Sequence, residues 1–120
     1  MMKITIKELE KLTSQALKNN GYNAGEIRIM KDVLLYAQLR GNNQGVVKLI
    51  GQGMPKNPNA GEIKIVKETP ISACIDGSQN HAMVVMGKAL TVAIKKAKKR
   101  GFGVVGTFNT STSSGAVGYY

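Results

Sequence analysis

The apolar residues of this chain change period along its length, and that change constrains the fold more than any other feature. Ile6, Leu9, Leu12, Ala16 and Leu17 recur at helical intervals, and Ile27, Met30, Val33, Leu34 and Ala37 do so again. Ile63 and Ile65 then alternate with Lys64, which suits a half-buried strand, and Ile71-Ser72-Ala73-Cys74-Ile75 reads as a second one. Helical spacing returns at Met83, Met86, Leu90, Ala93, Ile94 and Ala97, with Lys88, Lys95 and Lys99 facing away. Residues 102–108 read as a buried strand. The order helix, helix, strand, strand, helix, strand predicts a mixed α/β layer and excludes a plain bundle.

Local punctuation agrees with this order. Thr5-Ile6-Lys7-Glu8 is a capping-box sequence, and Asn23-Ala24-Gly25-Glu26 is a second helix start. Gly21 and Gly41 supply left-handed stops. Residues 42–61 are rich in turn formers, with a short helical piece around 46–50. Thr69-Pro70 separates the first two strands, and so short a link makes them antiparallel. Asp76-Gly77 ends the second strand, and the long helix is expected over Ser78–Arg100, closed by Gly101.

The 120 residues suffice for one domain with a real core. With 42% hydrophobic and 20% charged residues, the chain is not a disordered polyelectrolyte. No apolar run approaches the ~20 residues of a membrane-spanning helix, and the start Met-Met-Lys-Ile-Thr lacks a signal peptide's apolar stretch. The single cysteine, Cys74, rules out an intramolecular disulfide and a multi-cysteine metal site. A reducing, cytoplasmic setting is the expectation. In a buried strand the Cys74 thiol would be raised in pKa and inert.

Seventeen Lys and Arg against seven Asp and Glu give a net charge of +10. The densest run, residues 95–100, falls in the last turn of the long helix, where the helix dipole favours cations. A polyanion site is the second reading of that run, and acidic partner surface on other sequence is the third. Nucleic acid is disfavoured, because none of the six aromatic residues sits in a stacking motif. His81 is the only histidine and has no second imidazole or nucleophile beside it, so a place at the surface or at the helix start is expected. The run Gly101-Phe102-Gly103-Val104-Val105-Gly106 is not a dinucleotide fingerprint, since it lies along a strand instead of opening a helix after one.

Two polar loops remain as candidates for chemistry. One covers residues 40–48 after the second helix, with Asn43, Gln44 and Lys48; the other covers residues 109–115 after the last strand, with Thr112 and Ser113. Hydroxyls and amides at the carboxyl end of a strand suit a ligand's oxygens, and equally serve as ordinary connections.

At these loops the chain resembles the amino-terminal portion of the type-two malate/L-lactate dehydrogenase family, NAD(P)-dependent 2-hydroxyacid or 2-ketoacid oxidoreductases without the ordinary Rossmann fold. The resemblance rests on Leu39-Arg40-Gly41, Asn57-Pro58-Asn59, Ile65-Val66-Lys67-Glu68-Thr69-Pro70 and Ile75-Asp76-Gly77. Gly101-Phe102-Gly103-Val104-Val105 and Gly115-Ala116-Val117-Gly118-Tyr119-Tyr120 complete it, in that order and spacing. It implies an incomplete dehydrogenase-like fold. Residues 1–120 would be the substrate-side portion, with the cofactor domain absent, NAD or NADP bound mainly elsewhere, and a homodimer. The small-residue turn before Tyr119-Tyr120 ends as though a helix were starting, which also predicts a truncated chain.

The departures from the family pattern lie in both loops. Where the family has Ser-His-Gly after its Arg-Gly pair, this chain has Asn43-Gln44-Gly45, one residue shorter. Where the family has Asn-His-Phe-Gly, it has Thr112-Ser113-Ser114-Gly115, one residue longer. Both histidines are absent, and Lys48 stands in place of a carboxylate-binding arginine, keeping the charge without the bidentate fork. The resemblance thus implies substrate binding through Asn43, Gln44, Lys48, Thr112 and Ser113 and no catalytic acid, a group that contributes roughly 10²–10⁴-fold in rate. Lys48 would pair the carboxylate, and Gln44 with Thr112 and Ser113 would orient the carbonyl. The alternative is a non-catalytic basic binding module or pseudo-enzyme domain.

Overall fold

A computed structural model describes residues 2–120. It contains helices α1 (Ile6–Asn19), α2 (Ala24–Gln38) and α3 (Ala82–Arg100), and strands β1 (Lys64–Glu68), β2 (Ser72–Asp76) and β3 (Val104–Phe108). Short 3-10 segments cover Val46–Leu49 and Val117–Tyr119. The mixed α/β expectation holds. The chain divides into two compact units: one runs to Lys56 and includes Gly115–Tyr119, the other holds Asn57–Ser114 and Tyr120.

In the first unit both helix starts are capping boxes. The Thr5 hydroxyl accepts from the Glu8 amide at 3.2 Å while Glu8 accepts from the Thr5 amide at 2.9 Å. Asn23 and Glu26 repeat the arrangement, both bonds at 2.9 Å. Gly21 and Gly41 both take positive φ, +97° and +65°, as helix stops require. α1 packs on α2, and Leu17, Met30, Val33, Leu34 and Ala37 are fully buried. Ile6 and Leu12, expected on the core side of α1, are instead exposed, so the apolar face of that helix is wider than what covers it.

In the second unit the sheet order is β1-β2-β3, with β1 antiparallel to β2 and β2 parallel to β3. The predicted antiparallel pairing is present, with a bulge between Ile65 and Lys67. A parallel pair needs a crossover, and α3 supplies it. Ile75, Val85 and Ala89 form the core here, with Ile63, Val92 and Val105 packed against them.

Several expectations about burial are corrected. β1 is exposed at all five positions, because it is an edge strand and α3 lies over β2 and β3, reaching β1 through the Lys96–Glu68 ion pair. β3 is also an edge strand, with Val105 and Thr107 half-buried and Val104 and Phe108 exposed, so it is not a buried run. Cys74 alternates with buried Ala73 and Ile75 and lies half-buried on the opposite face, which removes the basis for an inert, deeply buried thiol. Val85, Ala89 and Val92 meet the sheet, a face adjacent to the expected Met86–Leu90–Ile94 stripe. Met83 is buried as expected, whereas Ile94 is exposed. Among the described residues no helix is long and apolar enough to cross a membrane.

Candidate functional site

The first polar loop leaves α2 through backbone bonds. The Gly41 amide donates to the Gln38 carbonyl at 3.1 Å, and the Asn42 amide donates to the Ala37 carbonyl at 3.0 Å. Asn42 then folds an Asx turn, its Oδ1 accepting from the Gln44 amide at 2.8 Å. Gln38 Oε1 accepts from the Val46 amide at 3.1 Å, and a Cβ on Gly45 would lie 2.9 Å from the Gln38 Cα. Only glycine fits there, so the loop is drawn tightly against the end of α2.

On this loop Gln44 Nε2 donates to Asn43 Oδ1 at 3.2 Å, which brings two of the expected residues together. Asn43 is exposed and Gln44 half-buried; Lys48 is half-buried in the 3-10 segment, its amide donating to the Gly45 carbonyl at 3.1 Å. Arg40 is turned elsewhere. Its guanidinium stacks 3.7 Å over the Tyr36 ring and donates to the Tyr36 carbonyl at 3.2 Å.

The second loop begins at the carboxyl ends of the parallel strands β2 and β3, where ligands gather in open α/β sheets. Thr112 and Ser113 sit exposed on it, as neighbours. Behind them lies a polar network that the sequence reading did not single out. Asp76 Oδ1 accepts from the Ser78 amide and from Asn109 Nδ2, both at 2.8 Å. Gln79 Nε2 donates to Asn109 Oδ1 at 2.6 Å, and Gln79 Oε1 accepts from Asn57 at 3.2 Å. The Ser78 amide, then Asn109, hold the Asp76 carboxyl below its ordinary pKa.

Backbone strain is concentrated here. Ser78, Gln79 and Asn109 all have left-handed φ, +46°, +59° and +56°, although none is glycine. Such residues cost about 1–2 kcal/mol each and persist only where their surroundings fix them. The fixing bonds are the Gly77 amide to the Phe108 carbonyl and the Gln79 amide to the Asn109 carbonyl, both 2.8 Å. A Cβ on Gly77 would meet Thr110 Cγ2 at 2.9 Å and Val85 Cγ2 at 3.0 Å, so packing selects glycine after Asp76.

This turn also delays α3, which starts at Ala82 and not at Ser78. Asn80 is buried and donates to the Gly61 and Gly77 carbonyls at 2.7 and 2.9 Å. His81 is the helix N-cap, as the helix-start reading expected, but is buried and not at the surface. Its Nδ1 accepts from the Met83 amide at 3.2 Å, which places the proton of a neutral ring on Nε2. Among the described residues no group of His, Cys, Asp and Glu could hold a metal ion. The Asp-Gly pair after an apolar run, with Asn109 directly after β3, was the available signal for the network.

Gly101, Gly103 and Gly106 flank or lie along β3, so they do not form a phosphate-binding turn into a helix. Gly103 has a packing role, since a Cβ there would collide with the Ala93 carbonyl of α3.

A family model described as malate/L-lactate dehydrogenase matches residues 4–120. Similar solved structures include sulfolactate dehydrogenase from Methanocaldococcus jannaschii, 36% identical with a TM-score of 0.81, covering 99% of this chain and 36% of that one. Malate dehydrogenase from Entamoeba histolytica is 30% identical with a TM-score of 0.83, covering 99% and 34%. Malate dehydrogenase from Pyrococcus horikoshii is 28% identical with a TM-score of 0.84, covering 99% and 35%. The chain thus spans about a third of the length of these structures. Comparison with curated protein sequences gives no match.

Proposed function

Since this chain belongs to the malate/L-lactate dehydrogenase family, we propose that it supplies the acid-binding portion of a cytoplasmic, NAD(P)-dependent 2-hydroxyacid/2-ketoacid oxidoreductase. The observation that carries this reading is Lys48, a half-buried cation that follows a glycine-clamped polar loop. Lys48 pairs the substrate carboxylate, and the Asn43 and Gln44 amides offer donors to its other oxygens. The Thr112 and Ser113 hydroxyls present donors of the same kind on the second loop. A nicotinamide cofactor, when bound, would supply the hydride, and residues outside this chain would mainly hold it.

Neither Gln44 nor Ser113 titrates near neutrality, so neither loop delivers a proton to an alkoxide. The chain alone is expected to oxidise NADH or NADPH with pyruvate or oxaloacetate no faster than buffer does. Binding is the sharper measurement. Lys48→Met should weaken malate, lactate or sulfolactate about tenfold in an NMR titration, the loss of one charge-assisted hydrogen bond, while Lys48→Arg retains most of the affinity. Equal affinities for Lys48→Met and the parent chain would refute the assignment.

The homodimer belongs to the same proposal. Its support is a recess within the first unit whose walls include Ile4, Leu12, Val47 and Ile50, all exposed aliphatic side chains. Ile50→Asp is expected to yield monomer in sedimentation velocity under conditions where the parent chain is dimeric. A parent chain that is monomeric throughout refutes it.

A further inference from the structure

Among the described residues glycine occupies six positions of left-handed φ, and only Ser78, Gln79 and Asn109 take that conformation without being glycine. All three lie just beyond the carboxyl ends of β2 and β3. Glycine would adopt the same backbone without strain, so what Gln79 and Asn109 add at these positions is their side chains. The polarity of their bonding is set at one end. The Asp76 carboxylate can only accept, so Asn109 must turn its amide nitrogen to it, at 2.8 Å. Asn109 Oδ1 then accepts from Gln79 Nε2 at 2.6 Å, and Gln79 Oε1 accepts from Asn57 Nδ2 at 3.2 Å. Asn57 Oδ1 accepts in turn from the Asn59 amide at 2.9 Å. Every donor in this relay points toward Asp76, and hydrogen bonds aligned in one direction polarise and strengthen one another.

Asn109 is also the first residue of the second loop. Past it, the Ser111 amide donates to the Asn80 carbonyl at 3.1 Å, and the Ser114 carbonyl accepts from the Tyr120 hydroxyl at 2.8 Å. Thr112 and Ser113 are the span between those two fixed points. The direction in which the loop leaves the sheet is set at Asn109.

We propose that Asn109, oriented by the Asp76 carboxylate, is a positioning residue for acid binding: it holds the second loop so that the Thr112 and Ser113 hydroxyls meet the oxygens of a 2-hydroxyacid. This rests on the acid-binding reading above and adds to it a residue that touches no substrate. A side chain serving the fold alone would leave affinity unchanged in any variant that stays folded.

The test is a ¹H–¹⁵N titration of the 120-residue chain with lactate, read at the Thr112 and Ser113 amides, with circular dichroism melts confirming that each variant is folded. Asn109→Gly keeps the left-handed φ and removes both side-chain bonds, and it should weaken lactate several-fold. Asn109→Asp sets a second carboxylate against Asp76, and two such groups share one proton more readily than they both ionise. Its affinity relative to the parent chain should therefore be lowest at about pH 8 and recover toward about pH 5.5, a range over which lactate remains an anion. Lys64, opposite Asp76 on β1, is the other charge acting on that carboxylate and is the same in every variant. Exchanging the two side chains, Asp76→Asn with Asn109→Asp, again sets an amide donor against a carboxylate. The exchange should return affinity to within about twofold of the parent, without the pH dependence of Asn109→Asp.

An Asn109→Gly chain that binds as the parent does, or an exchange that restores nothing Asn109→Asp has lost, overturns the inference. So does lactate binding that is sensitive to Lys48→Met but leaves the Thr112 and Ser113 amides unmoved; in these cases the acid-binding reading of Lys48 stands. A parent chain that shows no lactate binding overturns both.

Discussion

The two polar loops are anchored in opposite ways. In the loop carrying Asn43, Gln44 and Lys48, the bonds that shape residues 41–46 reach no further than eight residues: the Gly41 and Asn42 amides into α2, the Asn42 turn, and Gln38 to Val46. The loop carrying Thr112 and Ser113 is held from across the sequence. Asn109 reaches Asp76 over 33 residues and Gln79 over 30, while the Ser111 amide donates to the Asn80 carbonyl at 3.1 Å. The turn at residues 41–46 is bonded to the end of α2, and the 3-10 segment that follows it packs on α1 as well as on α2. The second loop exists only after β2 and β3 have paired, and it stores left-handed strain at Ser78, Gln79 and Asn109 that the pairing must overcome. The bonding of the first loop's turn is thus local to a helix end, and that of the second loop is a property of the assembled sheet.

The largest expected effect separates the two. Asn80→Ala removes the donor to two carbonyls from a buried site and should destabilise the chain by about 2 kcal/mol, the penalty for leaving such groups unsatisfied. Gly41→Ala tests the local loop. Its Cβ would meet nothing within 4 Å, so only the left-handed φ resists, at about 1 kcal/mol. Urea unfolding measures both. If Gly41→Ala destabilises as much as Asn80→Ala, the contrast between local and assembled anchoring fails.

The same contrast explains what the sequence disclosed. Thr5, Glu8, Asn23, Glu26, Gly21 and Gly41 were readable because caps and stops are set by neighbours within a few residues. The strand pair across Thr69-Pro70 was readable for the same reason. Ile65 was not, because alternation says which side chains share a face and not whether a second layer covers that face. The stripe of α3 was misplaced by one face because Met83, Val84, Val85 and Met86 are all apolar, and the sheet alone decides which of them it meets. The polar loops were visible as loops, and Asp76-Gly77 as a strand end. Asp76-Gly77 and Asn109 at the strand ends marked where a network could lie, but that Asp76, Gln79 and Asn109 bond to one another was not legible, since nothing local marks a bond 30 residues long.

The pH dependence sharpens the comparison further. Asp76 is held below its ordinary pKa, first by the Ser78 amide and then by Asn109. A carboxyl depressed in the folded state lends stability at pH above its unfolded value, and that contribution is lost as pH falls through the folded value. The window therefore opens near pH 4 and extends downward. Residues 40–48 contain no Asp or Glu, so the first loop has no such switch. In ¹H–¹⁵N spectra taken from pH 6 to pH 2.5, the Ser78 amide and the Asn109 side-chain amide should shift together below about pH 4. The Gln44 amide, which donates to a neutral Asn42, should stay in place over the range where the fold persists. Asp76→Asn should abolish the paired shift while leaving the Gln44 amide unchanged. A Ser78 amide that does not move, or one that moves equally in Asp76→Asn, would mean that Asp76 is not the group that fastens the second loop to the end of β2.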